Sequence, residues 1–213
     1  MQDSKLLTCS DDKTVIIWKK NKNNYFEVEK KITTSVNEYP NTNMVLIDNL
    51  LLCSSISDED LKFFDVKNDY KLMFSFNNVK CCFSRNSIIY IKEKDLLLVG
   101  GTNNNGIYLF KLQKIPYFVG KFFPEIINCV YSIILLDNDN ILVGLEEKLA
   151  NEDVNSIFKF KIDKDNKLIN VNKMSNTHQK LINGLIDWKE KKLIVSCSQD
   201  SKVKLWKIMK NEN

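Results

Sequence analysis

Leu193-Ile194-Val195-Ser196-Cys197-Ser198-Gln199-Asp200-Ser201-Lys202-Val203-Lys204-Leu205-Trp206-Lys207 reads as a two-stranded hairpin. A short apolar run, a polar turn and an alternating run ending in Trp carry that reading. Leu6-Leu7-Thr8-Cys9-Ser10-Asp11-Asp12-Lys13-Thr14-Val15-Ile16-Ile17-Trp18 repeats it, with Thr8, Cys9, Ser10, Asp12, Val15 and Trp18 opposite Ser196, Cys197, Ser198, Asp200, Val203 and Trp206. Between the two copies the pattern returns with Phe for Trp, in Leu61–Asp65, Ile107–Lys111 and Ile157–Lys161. The anchor aromatics Trp18, Phe64, Phe110, Phe160 and Trp206 are spaced 46, 46, 50 and 46 residues apart.

A fixed period in this range signals a solenoid, a propeller or an array. Alternating strands with no helical pattern select the propeller. The last copy resembles a WD40 repeat, with His178, Trp188, Ser196, Ser198, Asp200 and Trp206 in that family's order. Lys207 stands where the family's Asp would follow the Trp. The expected fold is all-β, a WD40-like β-propeller of about five four-stranded blades, spanning residues 1–213 as a single region.

The blades, with strands a to d in chain order, read as follows. The first has Lys5–Ser10, Thr14–Lys19 and Tyr25–Ile32 as b, c and d, with 33–42 crossing to the second. The second has Met44–Asp48, Leu50–Ser54, Leu61–Val66 and Tyr70–Phe76. The third has Ser87–Lys92, Leu96–Gly101, Gly106–Leu112 and Tyr117–Phe123. The fourth has Val130–Leu136, Ile141–Leu145, Ser156–Ile162 and Lys167–Lys173. The fifth has Leu181–Trp188, Leu193–Ser198 and Val203–Ile208. The first blade thus lacks strand a and the last lacks strand d. The expectation is an incomplete or open ring with partial end blades, from a truncated product or one completed by a partner.

Composition narrows the function classes. The start, Met1-Gln2-Asp3-Ser4-Lys5, has no basic-then-apolar secretory signature. The longest apolar run, near Val130–Leu136, is too short to span a bilayer. Cysteines at 9, 53, 81, 82, 129 and 197 show no C-x-x-C spacing, and four fall within strands as small hydrophobes. Free thiols point to a reducing, intracellular setting, the cytoplasm first and the nucleus as the alternative. Cys81-Cys82 has no nearby His and alternates across a strand, which argues against a metal or redox pair. The net charge of +4 comes almost wholly from lysine, with Arg85 the single arginine. Without arginine to read bases and phosphates, the charge argues against nucleic acid. Lys92-Glu93-Lys94-Asp95 and Lys189-Glu190-Lys191-Lys192 mark turns.

His178 is the sole histidine. The WD40 resemblance gives it a structural role, in a buried hydrogen-bond chain of His178, Ser196 (or Ser198), Asp200 and Trp206. Phe64, Phe110 and Phe160 have no donor for such a chain, and their blades have no His. Catalysis would need a nucleophile and an orienting acid around His178. Gly100-Gly101 and Gly106 lie between strands, not before a helix, and are no phosphate loop. No metal-ligand spacing is present, and no cofactor or small-molecule substrate is expected.

Two b–c connections depart from the repeat and are candidate protein-binding loops. One is Asn103, Asn104 and Asn105, ending at Gly106. The other, from Glu146 to Asn155, carries Glu146, Glu147, Glu152 and Asp153. Gly144 to Phe160 spans 16 positions against 10 from Ser196 to Trp206. The resemblance places b–c and d–a loops on one face, the usual partner-binding face of the family. The expected function is a non-enzymatic interaction scaffold with protein partners. The alternative is a structural subunit of a coat, pore or ciliary assembly whose ring a partner completes. A propeller hydrolase ranks behind both.

Overall fold

The computed structural model describes residues 5–10, 12–34, 41–55, 61–76, 87–101, 106–122, 127–137, 139–148 and 153–207. Eighteen strands form five antiparallel sheets, and the described residues contain no α-helix. Contacts divide the chain into two compact units, Met1–Phe83 and Ser84–Asn213.

The first unit holds two sheets. One is β1 (Lys5–Cys9), β2 (Thr14–Lys20) and β3 (Phe26–Thr33); the other is β4 (Asn41–Ile47), β5 (Leu50–Ser55), β6 (Leu61–Asp65) and β7 (Lys71–Phe76). Val15 and Ile17 of β2 and Ile32 of β3 pack with Leu51, Cys53 and Phe64 of the second sheet. Burial of this kind stabilises by about 1.5–3 kcal/mol for each large aliphatic or aromatic side chain.

The second unit holds three sheets, each in chain order. They are β8 (Ile88–Ile91), β9 (Leu96–Gly100), β10 (Ile107–Lys111) and β11 (Tyr117–Phe122); β12 (Ile127–Leu135), β13 (Asn140–Lys148), β14 (Asp153–Ile162) and β15 (Leu168–His178); and β16 (Ile182–Trp188), β17 (Leu193–Ser198) and β18 (Val203–Lys207). Leu96–Val99 of β9 are buried throughout, as suits a strand covered on both faces. A Cβ on Gly100 would lie 2.9 Å from the Val130 carbonyl, and one on Gly144 would lie 2.9 Å from Ile182. Glycine here lets β12 approach β9 and β16 approach β13.

Among the described residues the first sheet has three strands, matching b, c and d, and the last has three, matching a, b and c. The lysine-rich stretches form single 3-10 turns, Lys92–Lys94 and Lys189–Lys191, each closed by a left-handed residue, Asp95 or Lys192. Gly106 is left-handed (φ 62°), as a tight connection requires.

One irregularity recurs. The pairing of c with d shifts register between Ile17 and Trp18, Phe63 and Phe64, Leu109 and Phe110, and Lys159 and Phe160. Each time an extra residue of the outer strand goes unpaired: Glu29, Met73, Val119 or Val171. A bulge therefore sits beside the anchor aromatic in every sheet that has an outer strand.

Candidate functional site

The last hairpin brings His178, Ser196, Asp200 and Trp206 together. Ser198 N–H donates to Lys202 O at 3.2 Å and Ser201 N–H to Ser198 O at 3.2 Å, which fixes the turn. Asp200 Oδ1 accepts from Lys202 N–H at 3.0 Å, and Oδ2 accepts from Gln179 N–H at 3.1 Å. His178 Nδ1 lies 3.0 Å from Asp200 Oδ2, and Nε2 lies 2.7 Å from Ser196 Oγ. Trp206 Nε1–H donates to that same Oγ at 2.8 Å.

The donors and acceptors permit one consistent direction. Indole can only donate and an ionised carboxylate can only accept. Trp206 therefore donates to Ser196, Ser196 to His178 Nε2, and His178 Nδ1–H to Asp200. Burial alone would raise the Asp200 carboxyl. The Gln179 N–H, the His178 ring and the Lys202 N–H outweigh it and hold Asp200 well below the usual carboxylate range. Ser198 is not a member: its Oγ donates to Lys180 O and accepts from Asp200 N–H.

Asp200, His178 and Ser196 have the distances of an acyl-transfer triad. Ser196, however, is fully buried and its oxygen is already engaged by Trp206. A nucleophile must reach its substrate. The arrangement serves as a latch tying β15 and the turn after it to β17 and β18.

The first hairpin carries a shortened version. Trp18 Nε1–H donates to Thr8 Oγ1 at 2.9 Å. Asp12 Oδ1 accepts from Thr14 N–H at 3.1 Å, and Lys31 Nζ lies 3.3 Å from Oδ2 where the last hairpin has its histidine. Register explains both. Trp18 pairs with Leu6 and Trp206 with Ile194, so the bonded residues Thr8 and Ser196 lie on the diagonal. In the middle sheets Phe64 pairs with Leu51, Phe110 with Leu97 and Phe160 with Ile141, which puts Cys53, Val99 and Val143 on that diagonal. Indole meets a hydroxyl, and phenyl meets a thiol or a methyl.

The expected acidic loop is corrected by the structure. Glu146 and Glu147 lie in β13, paired with Asn155 and Val154, and Asp153 begins β14. The two strands extend through most of that segment. Glu147 is fully buried, bonded to Lys173 Nζ at 2.6 Å, with its other oxygen unpartnered. Glu147 is thus no surface contact. Asn103, Asn104, Asn105 and Glu152 lie outside the described residues. His178 also differs from expectation. It ends the eleven-residue strand β15, paired with Asn155, where a loop was expected.

Sequence reasoning missed the outward face of the last sheet. The register puts Ile186, Trp188, Val195, Cys197, Val203 and Leu205 on one side. Ile186 is 62% exposed, Val203 68% and Leu205 60%. Three residues before the anchor, the other sheets hold Val15, Leu61, Ile107 and Ile157, all at most 1% exposed. Cys197 occupies the repeat position where β9 has Gly100 and β13 has Gly144, each with a neighbouring strand packed on it. The same side chains that form a buried seam elsewhere face solvent here. The signal was available in the period: each apolar c strand implies a covering layer.

Among the described residues no group of three His, Cys, Asp or Glu side chains is placed to hold a metal ion. No helix among them is long and apolar enough to cross a membrane.

No curated protein matches the sequence significantly. Many solved structures are similar in fold, and three of them serve as examples. One is titled as the mitotic checkpoint complex, at TM-score 0.74 and 10% identity, covering 99% of this chain and 62% of that one. Another, from Bacteroides fragilis, carries a provisional title of 6-phosphogluconolactonase, at TM-score 0.72 and 11% identity, covering 96% and 64%. The third is Hsv2 of Kluyvelomyces marxianus, at TM-score 0.64 and 13% identity, covering 100% and 59%. The chain spans about three-fifths of the length of these structures. The profile of the WD domain, G-beta repeat, matches residues 1–19 and 171–207, which hold Trp18 and Trp206. The chain therefore carries WD40 repeats at its two ends and has a β-propeller-type fold.

Proposed function

We propose that the chain is a non-enzymatic scaffold that binds other proteins through fixed sheet surfaces. The apolar face of β16–β18 carries this reading. Contiguous exposed apolar surface of that kind marks an interaction site. Ile186, Val195 and Leu205 lie in one row across its three strands, Trp188 and Leu193 in the next row with Lys207 at its end, and Lys189 and Lys202 adjoin the strands in sequence. An apolar centre inside a charged rim is the usual anatomy of a protein interface. The rigid hairpins supply the surface without ordering cost. Catalysis lacks a reachable nucleophile at the one triad-like cluster.

The test is affinity capture with the wild-type chain and with Ile186→Glu, which places a carboxylate on the face and leaves the latch intact. Partners recovered by the wild type and lost with Ile186→Glu support the scaffold reading. Equal recovery by both, or recovery of nothing above a blank matrix, overturns it. A hydrolase screen in which Ser196→Ala abolishes turnover would overturn it in favour of an enzyme.

A further inference from the structure

We propose that a cleft between the first two sheets binds a small monocarboxylate, with the Tyr70 hydroxyl and the Lys67 ammonium as its donors. The cleft holds about 300 Å³, the lower end of the range for small-molecule sites, and lies wholly within the first compact unit. Lys5, Glu29 and Lys30 line it from the sheet β1–β3, and Lys67, Asp69 and Tyr70 from the turn between β6 and β7.

That turn holds its tyrosine in a costly conformation. Lys71 N–H donates to Asn68 O at 3.1 Å, and the two residues between, Asp69 (φ 53°) and Tyr70 (φ 57°), are both left-handed. Glycine or asparagine ordinarily fills such a place, and Tyr70 is the one left-handed aromatic among the described residues. Lys30 pins the turn, donating to Asp69 O at 2.7 Å and pairing with the Asp69 carboxylate. Tyr70 is 8% exposed and lies in the apolar cluster with Ile17, Ile32 and Phe64. Tyr25, which ends the matching turn of the first sheet, is 72% exposed. Burial of Tyr70 is therefore no demand of the repeat.

The ring is held, but its hydroxyl is not. Among the described residues nothing hydrogen-bonds the Tyr70 hydroxyl, although the phenol stands near Lys5, Glu29, Lys30 and Asp69. Burial pushes the phenol up despite the two lysines, so it remains a donor at neutral pH. Lys67 is exposed, and its ammonium has no carboxylate partner among the described residues. Lys5 is held by Glu29 at 2.8 Å and Lys30 by Asp69, so one of the cleft's three cations is left uncompensated. A single negative charge balances the site. A dianionic phosphate would set its second charge against Glu29 and Asp69. Val66 and the Tyr70 ring give a short tail an apolar wall.

Butyrate is the probe, titrated into the isotope-labelled whole chain and followed by amide NMR. Signals of residues 66–70 should shift saturably. Tyr70→Phe should weaken butyrate about tenfold, as loss of a hydrogen bond to a charged group implies. Its melting temperature should match the wild type, because the hydroxyl has no protein partner to lose. Lys67→Gln should weaken butyrate about threefold, in the range of exposed charge pairs. Butyramide, the uncharged isostere, should not saturate the signals, and inorganic phosphate should bind more weakly than butyrate. Absence of saturable shifts at 66–70, an equal response to butyramide, tighter binding of phosphate, or unchanged affinity in either variant would overturn the proposal. So would a lowered melting temperature of Tyr70→Phe, since the hydroxyl would then serve the fold. Ile186→Glu lies in the second unit and leaves this cleft intact, so the scaffold reading and this one fail separately.

Discussion

The indole N–H of Trp206 reaches Ser196 Oγ at 2.8 Å across the diagonal of two paired strands. That one hydroxyl also meets His178 Nε2, so three side chains share a fully buried oxygen.

Trp206→Phe keeps the ring and deletes the donor. It should destabilise by about 1–3 kcal/mol, through an unsatisfied acceptor and lost packing. His178→Ala breaks the same chain at the next bond. The two losses should fall short of additive by about 0.5–3 kcal/mol in a urea-unfolding cycle. Additive losses would show that the latch does not act as a unit.

The first hairpin tests whether polar and apolar diagonals are interchangeable. Thr8→Val should cost about 0.5 kcal/mol, because the Trp18–Thr8 bond is exposed and water can take the freed N–H, and Trp18→Phe a similar amount. The double variant recreates the Val99–Phe110 pairing of the third sheet. Its stability should lie above the sum of the two single losses, because both unpaired groups are gone together. A double variant as unstable as the sum would mean that the hydroxyl acts elsewhere.

Acid should release the latch. The Asp200 carboxyl is held below its unfolded value of about 3.9. A group depressed on folding contributes its stabilisation above the unfolded value and loses it as the pH falls towards the folded one. The stability difference between wild type and Asp200→Asn should be constant from neutrality down to about pH 5 and should shrink below about pH 4. Asp12 is also depressed, chiefly by its hydrogen bond from Thr14, and titrates in both proteins, so the difference isolates Asp200. Unfolding followed by Trp fluorescence at several pH values measures it. A difference independent of pH would mean that the ionised form is not what the latch holds.

The Glu147–Lys173 pair should respond asymmetrically. Lys173→Met leaves a buried carboxylate with no partner and should destabilise by on the order of 2–3 kcal/mol, less than a fully buried pair because Lys173 is a third exposed. Glu147→Leu removes the buried charge and leaves only Lys173, which is a third exposed and can be hydrated, so its cost should be smaller, under about 1 kcal/mol. Calorimetry of both variants separates the two. Equal losses would assign the pair a net favourable role.

Much of this architecture was legible in the residues, for local reasons. Alternation and period place the strands, and the Asp12 and Asp200 turns bond alike because their sequences are alike. Glu146 and Glu147 misled because charge usually marks a loop, whereas pairing with Val154 and Asn155 continues the strands regardless. His178 misled in the same way, since β15 runs on to bury it beside Asn155. The bulges were invisible because they exist only between strands. Glu29, Met73, Val119 and Val171 have no single residue type in common, only a place next to the partner of an anchor aromatic.

Those bulges bear on how the repeats can change length. At each one the outer strand already carries one residue more than its partner. Removing Met73 would join two correctly paired half-strands into a regular ladder, without sliding either half. Removing a residue from β5 would displace every side chain beyond it to the wrong face. Single-residue deletions should therefore accumulate in the outer strands and be purged from the inner ones, making the rim the part of the chain free to drift in length.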